Sequence, residues 1–178
     1  MSILRLGKRI PLAEAEALRD YYLQMFLSGP TSFSRKALAQ RSWLGVPVDN
    51  RISLFRARFI ARAARHNGAH NGLAMTTEPE IHAEIFRFPL SRNGIRAFDA
   101  NCMLRAIPSN EQFAILQQGD FYYVLAGSRS LLELALGKSL GQARKLFEKY
   151  AARPQWGEDI RKWLIGVHEY YADDVPSE

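Results

Sequence analysis

The stretch from Gln112 to Leu136 constrains this chain more than any other. Gln112-Phe-Ala-Ile-Leu-Gln117 and Phe121-Tyr-Tyr-Val-Leu-Ala126 are two apolar runs of strand length around a Gln-Gly-Asp turn, which is the pattern of a β-hairpin. The second run passes without a spacer through Gly127-Ser-Arg-Ser130 into a leucine-rich helix, Leu131 to Leu136. The expected fold class is α+β, a small mixed β-sheet built from residues near 80 to 126 and packed against flanking helices at both ends. Tyr122 and Tyr123 point to opposite faces of their strand, so one is expected in the core and the other at a rim, where it offers a surface for stacking a base.

Periodicity supplies the rest. Pro11 to Leu27 carries Ala15, Leu18, Tyr22, Met25 and Phe26 at helical spacing, with Glu14 and Glu16 in the first turn, and ends near Gly29-Pro30. Ser34 to Ser42 reads as a short helix, Gly45 to Asp49 as a break, and Asn50 to Arg65 as a third helix with Ile52, Phe55 and Phe59 on one stripe. The doubled Asn-Gly of residues 66 to 72 is a loop or turn, after which Ile81, Ala83 and Ile85 alternate with Glu80, His82 and Glu84 as in a half-exposed strand. Met103 to Ile107 is a further short strand. Ser130 with Glu133, and Ser139 with Gln142, have capping-box spacing. A last helix puts Ile160, Trp163, Leu164, Val167 and Tyr171 on one face. The expected organisation is a basic helical region (1–75), an α+β core (76–150) and a C-terminal helix (151–178) within one compact unit.

Composition narrows the class. A chain of 178 residues that is 47% hydrophobic and 24% charged is too apolar for disorder, and its single cysteine, Cys102, excludes a disulfide framework or a cysteine-rich zinc site. Arg5, Lys8 and Arg9 interrupt the apolar start, which argues against a signal peptide, and the expected compartment is the cytoplasm.

Charge points to a polyanion. Residues 1–75 hold 12 Lys/Arg against 4 Asp/Glu, whereas residues 76–178 hold 12 against 14. Between residues 33 and 66 there are eight basic side chains and the single acid Asp49. Arg51, Arg58, Arg62 and Arg65 fall in a narrow sector of the third helix with the spacing to track DNA phosphates, although an ordinary solvated face has the same pattern. Gly127 to Ser130 is a second candidate. A glycine that admits a phosphate to the backbone, free N–H groups in a first helical turn and the fork of Arg129 together make an anion site, while a tight turn with a capping Ser130 and a solvated arginine accounts for the same four residues. Glu80, His82 and Glu84, with Glu133, can hold a hard divalent ion or stay solvated on an exposed face. Gly137-Lys-Ser139 is not a phosphate-binding P-loop, because Leu132 stands where that motif requires a glycine.

Over residues 111–140, about a sixth of the chain, the sequence resembles the ParB/sulfiredoxin superfamily, in which hairpin strands lead into Gly-x-Arg-Arg or Gly-Cys-His-Arg and then a helix. The matching residues are Gly127, Ser128, Arg129 and Ser130. Ser128 replaces the reactive cysteine of the sulfiredoxin-like members, which removes sulfinic-acid reduction. Ser130 replaces the second arginine of the ParB-like members, so the phosphate clamp rests on Arg129 and backbone amides. Glu133 takes the place of a small residue and would serve a metal or complete the cap. Arg92 or Arg96, in a segment that loosely resembles the family's upstream Pro-Arg box, would point into the same pocket. Within the superfamily the small size and basic helical half look most like the plasmid fertility-inhibition proteins of the oncogenic-suppression type. That resemblance implies a bacterial, plasmid-encoded protein with sequence-independent DNase and ATPase activity, using ATP and a divalent cation (Mg or Mn), with Arg129 and Glu133 as catalytic residues. Its implied partners are DNA, a nucleotide and components of a conjugation or type IV secretion system. A non-catalytic DNA- or nucleotide-binding adaptor, or a protein-interaction inhibitor of such a system, is the alternative.

Overall fold

A computed structural model describes residues 7–26, 32–76, 85–100, 104–108 and 111–172. In chain order the elements are β1 (Lys8–Arg9), α1 (Leu12–Phe26), α2 (Arg35–Gln40), β2 (Leu44–Asp49), α3 (Leu54–His66), β3 (Asn71–Thr76), β4 (Ile85–Pro89), α4 (Arg92–Ala100), β5 (Leu104–Pro108), β6 (Phe113–Gln118), β7 (Tyr122–Gly127), α5 (Arg129–Leu136), α6 (Leu140–Ala151) and α7 (Glu158–Ala172). The class is α+β, as the residue pattern implies.

Among the described residues the strands form one seven-stranded sheet in the order β1-β4-β3-β5-β6-β7-β2, and every pairing is antiparallel. The expected mixed sheet is thus corrected. The crossovers β2-α3-β3 and β4-α4-β5 do link strands that run in the same direction, but antiparallel strands are inserted between them, so no parallel neighbours arise. The hairpin is present in the expected register, with Phe113 opposite Gly127 and Gln118 opposite Tyr122.

Helices cover both faces of this sheet. One core gathers Val46, Val48, Tyr123 and Leu125 under α3, α4 and α5, and the other gathers Ala114, Leu116, Tyr122 and Val124 under α1, α6 and α7. Tyr122 and Tyr123 are therefore both buried, and neither is the rim residue or the stacking surface expected of one of them. Burial pushes the Tyr123 hydroxyl well above the usual phenol range.

Two further expectations change. Gly45 to Asp49 is not a break but most of β2, which pairs with β7 from Leu44 opposite Gly127 to Asp49 opposite Tyr122. Pro47 is tolerated because β2 lies at the edge of the sheet, with β7 as its one neighbour among the described strands. With β1, β2 and the start of β3, residues 1–75 contribute to the sheet as well as supplying helices. On α3 the core stripe is Ala57, Ile60, Ala61, Ala63 and Ala64, whereas Phe55 is 69% exposed, so the expected apolar stripe through Phe55 is displaced around the helix.

The C-terminal helix α7 locks the edge of this arrangement. Leu164 and Tyr171 are buried, and the Tyr171 ring covers Gly45, where an added Cβ would lie 2.3 Å from Cδ1 of the ring. The Tyr171 hydroxyl accepts the Phe33 N–H at 2.9 Å, and the Tyr170 hydroxyl donates to the Phe33 carbonyl at 2.8 Å.

Candidate functional site

The structure divides the eight basic side chains between residues 33 and 66 into two groups. Four are engaged internally. Arg35 donates to the Tyr170 carbonyl at 2.8 Å and stacks on its ring. Arg41 pairs with Glu111 at 3.3 Å, Arg56 with Asp49 at 2.6 Å, and Arg51 with Asp99 at 3.2 Å and Asp120 at 3.3 Å. Lys36, Arg58, Arg62 and Arg65 are exposed and pair with no carboxylate among the described residues.

The expected basic stripe therefore loses Arg51, which lies ahead of α3 rather than on it, while Arg58, Arg62 and Arg65 stand exposed on the helix. Phe55, Arg58, Phe59 and Arg62 line an open groove on α3, with the two phenyl rings 4.8 Å apart. The helix presents this face because small alanines take its buried side. Ser53 caps its start by accepting the Arg56 N–H at 3.2 Å.

Arg51 is held by a buried acid that sequence reasoning missed. Asp99, on α4, is 1% exposed. Its Oδ1 accepts the Ile52 N–H at 2.7 Å and the Gln117 amide at 3.0 Å, while its Oδ2 accepts Arg51 Nε at 3.2 Å and Arg96 at 3.3 Å. The Asp99 carbonyl also accepts from Arg51 and Gln117. A buried carboxylate needs this many donors to offset lost hydration. Arg96 further donates to the Ile52 carbonyl at 2.5 Å. Arg96 is thereby drawn to the loop before α3, and the expectation that it joins the Gly127 pocket is corrected. Of its two arginine partners only Arg96, three residues earlier on α4, is visible from spacing in the sequence, and Arg51 is 48 residues away.

At the end of β7 the four signature residues take different roles. Gly127 is buried in the sheet, and an added Cβ would lie 3.2 Å from Phe113 Cβ and 3.3 Å from Leu131 Cδ2. Internal packing thus accounts for the glycine. Ser128, not Ser130, is the cap of α5, its hydroxyl accepting the Leu131 N–H at 3.4 Å. Arg129 and Ser130 are exposed in the first turn, and Arg129 has no ion pair among the described residues. Glu133 does not close a box with Ser130. Its Oε1 accepts the Leu140 N–H at 3.3 Å, tying α5 to the start of α6. The Ser139–Gln142 capping box is present as expected.

Glu80, His82 and Glu84 lie outside the described residues, and among the described residues no group of three or more His, Cys, Asp or Glu is placed to hold a metal. No described helix is long and apolar enough to cross a membrane. Among the described residues the cationic surface open to a ligand includes the α3 groove and Arg129 at the start of α5. No protein-family model, curated protein or solved structure matches this chain.

Proposed function

We propose that this protein binds DNA without regard to sequence through the exposed face of α3. The observation that carries the reading is the set Arg58, Arg62 and Arg65, exposed and without a carboxylate partner among the described residues while their neighbours Arg51 and Arg56 are neutralised. Unpaired guanidinium groups at helical spacing attract phosphates, and each phosphate contact releases condensed counterions. The logarithm of the affinity should then fall linearly with the logarithm of salt concentration. Arg58→Ala combined with Arg62→Ala should make the slope shallower by about 1.8 on duplex DNA. Both side chains are exposed, so the melting curve should not move. Fluorescence titrations over a salt series check this, and a slope equal to that of the wild type removes the α3 face from the interface.

A second reading adds ATP hydrolysis and DNA cleavage at Gly127 to Ser130, as part of a block on conjugative transfer. Arg129 favours it, since a cation in the first turn of α5 opposes the positive end of the helix dipole and an anion resolves that conflict. The resemblance around Gly127 supports the same reading. Arg129→Ala should leave stability unchanged or slightly raised and weaken nucleotide binding, with Arg129→Lys intermediate. Turnover should vanish with chelator and return with magnesium or manganese. Equal nucleotide affinity in all three forms, with no turnover restored by metal, leaves the DNA-binding adaptor alone.

A further inference from the structure

The α3 groove does not end at α3. The Phe59 ring packs against the turn between α5 and α6, where a Cβ added to Gly137 would lie 2.9 Å from Phe59 Cε1. Immediately after that glycine, Lys138 begins a second open groove, lined by Lys138, Gln142, Lys145, Leu146 and Lys149. Gln142, Lys145, Leu146 and Lys149 recur at helical spacing along one side of α6, Lys138 lies just ahead of it, and none of the three lysines pairs with a carboxylate among the described residues. Phe59, which lines the first groove, thus packs on the residue that precedes the second. On these elements stand six cations that pair with no carboxylate among the described residues: Arg58, Arg62 and Arg65 on α3, and Lys138, Lys145 and Lys149 along the second groove.

The first groove also carries an apolar group that a phosphate-tracking face does not need. Phe55 is 69% exposed, beside Arg58 and Arg62, and its ring is tilted by 59° to that of Phe59, 4.8 Å away. An exposed aromatic ring bordered by guanidinium groups is a stacking platform for an unpaired base, which a duplex keeps inside its helix. Leu146, 46% exposed between Lys145 and Lys149, adds apolar surface in the second groove.

We propose that the occupant of this composite surface is a single DNA strand, its backbone following the arginines of α3 and the lysines of α6 and one base stacked on Phe55. The proposal rests on the DNA-binding reading of α3 and extends it in two ways, by naming the form of DNA and by adding α6 to the interface.

Anisotropy titrations of the full chain with a labelled oligothymidylate and a blunt duplex of equal length test both additions. The oligothymidylate should bind about tenfold more tightly than the duplex at the same salt concentration. Phe55→Ala should weaken it about tenfold and the duplex no more than about twofold, and Phe55→Trp should restore it. Lys145→Ala with Lys149→Ala should make the single-strand salt slope shallower by about 1.4, since each phosphate contact on a single strand contributes about 0.7. All these side chains are exposed, and melting curves confirm that the variants fold.

Equal affinity for the two probes with a silent Phe55→Ala overturns the single-strand assignment and leaves the α3 reading intact. An unchanged slope in the lysine variant removes α6 from the interface. Failure to bind either probe at low salt ends both proposals. Sedimentation supplies the last arm: a dimer that Phe55→Ala dissociates without altering DNA affinity assigns the exposed ring to a second copy of the chain and overturns the stacking role.

Discussion

An arginine near a chain turn can find its counter-charge inside the protein or outside it, and this molecule contains both outcomes. Arg51 and Arg96 converge on Asp99, whereas Arg58, Arg62 and Arg129 face solvent. Spacing sets Arg96 apart, three residues from Asp99 on α4, but treats Arg51 like the exposed arginines, because that acid is 48 residues from Arg51 and buried. Asp99→Asn puts this to the test. The amide keeps the volume but turns one acceptor into a donor facing guanidinium groups, so the loop before α3 loses its anchor to α4. The expected cost is about 3 kcal/mol, at the low end for breaking a buried pair because Arg51 and Arg96 remain partly hydrated. Chemical denaturation measures it. A loss below about 1 kcal/mol would mean that Asp99 does not organise that loop.

At the scale of elements, caps and turns were largely legible. The Ser139–Gln142 box and the Gln-Gly-Asp hairpin act between residues a few positions apart, so the sequence displays both partners together. On spacing Ser130, with Glu133 three residues on, is the expected cap, and Ser128, with Leu131 there, is not. The sheet chooses between them: β7 stays paired on both sides through Gly127, so the chain turns at the very next residue. Gly137 shows the same interplay at the far end of α5. It is left-handed, with φ of 65°, and the Phe59 ring closes the space where a side chain would go. Gly137→Ala should therefore cost about 1–2 kcal/mol from backbone strain alone, read by denaturant unfolding. It should also displace Phe59, which quenching of a tryptophan introduced at Phe59 would detect against the same reporter with Gly137 intact. A variant as stable as the wild type with an unmoved reporter would mean that this turn does not couple α3 to α6.

Across the whole molecule, the sheet is larger and better covered than local patterns imply. Seven antiparallel strands draw on both halves of the chain, and helices bury both faces. Double coverage explains why β6 and β7 are continuous apolar runs rather than alternating ones, and why Tyr122 and Tyr123 are both interior. By itself the sequence determined the α+β class, the hairpin, most helices and the excess of positive charge, since these follow from composition and from neighbours within one or two turns. Only the tertiary structure decided that Leu44–Asp49 is a strand, which face of α3 is buried, and which arginines are already neutralised. The physical reason is that burial and charge pairing are set by whatever packs alongside. The partners that matter, β7 for β2 and Asp99 for Arg51, come from distant parts of the chain.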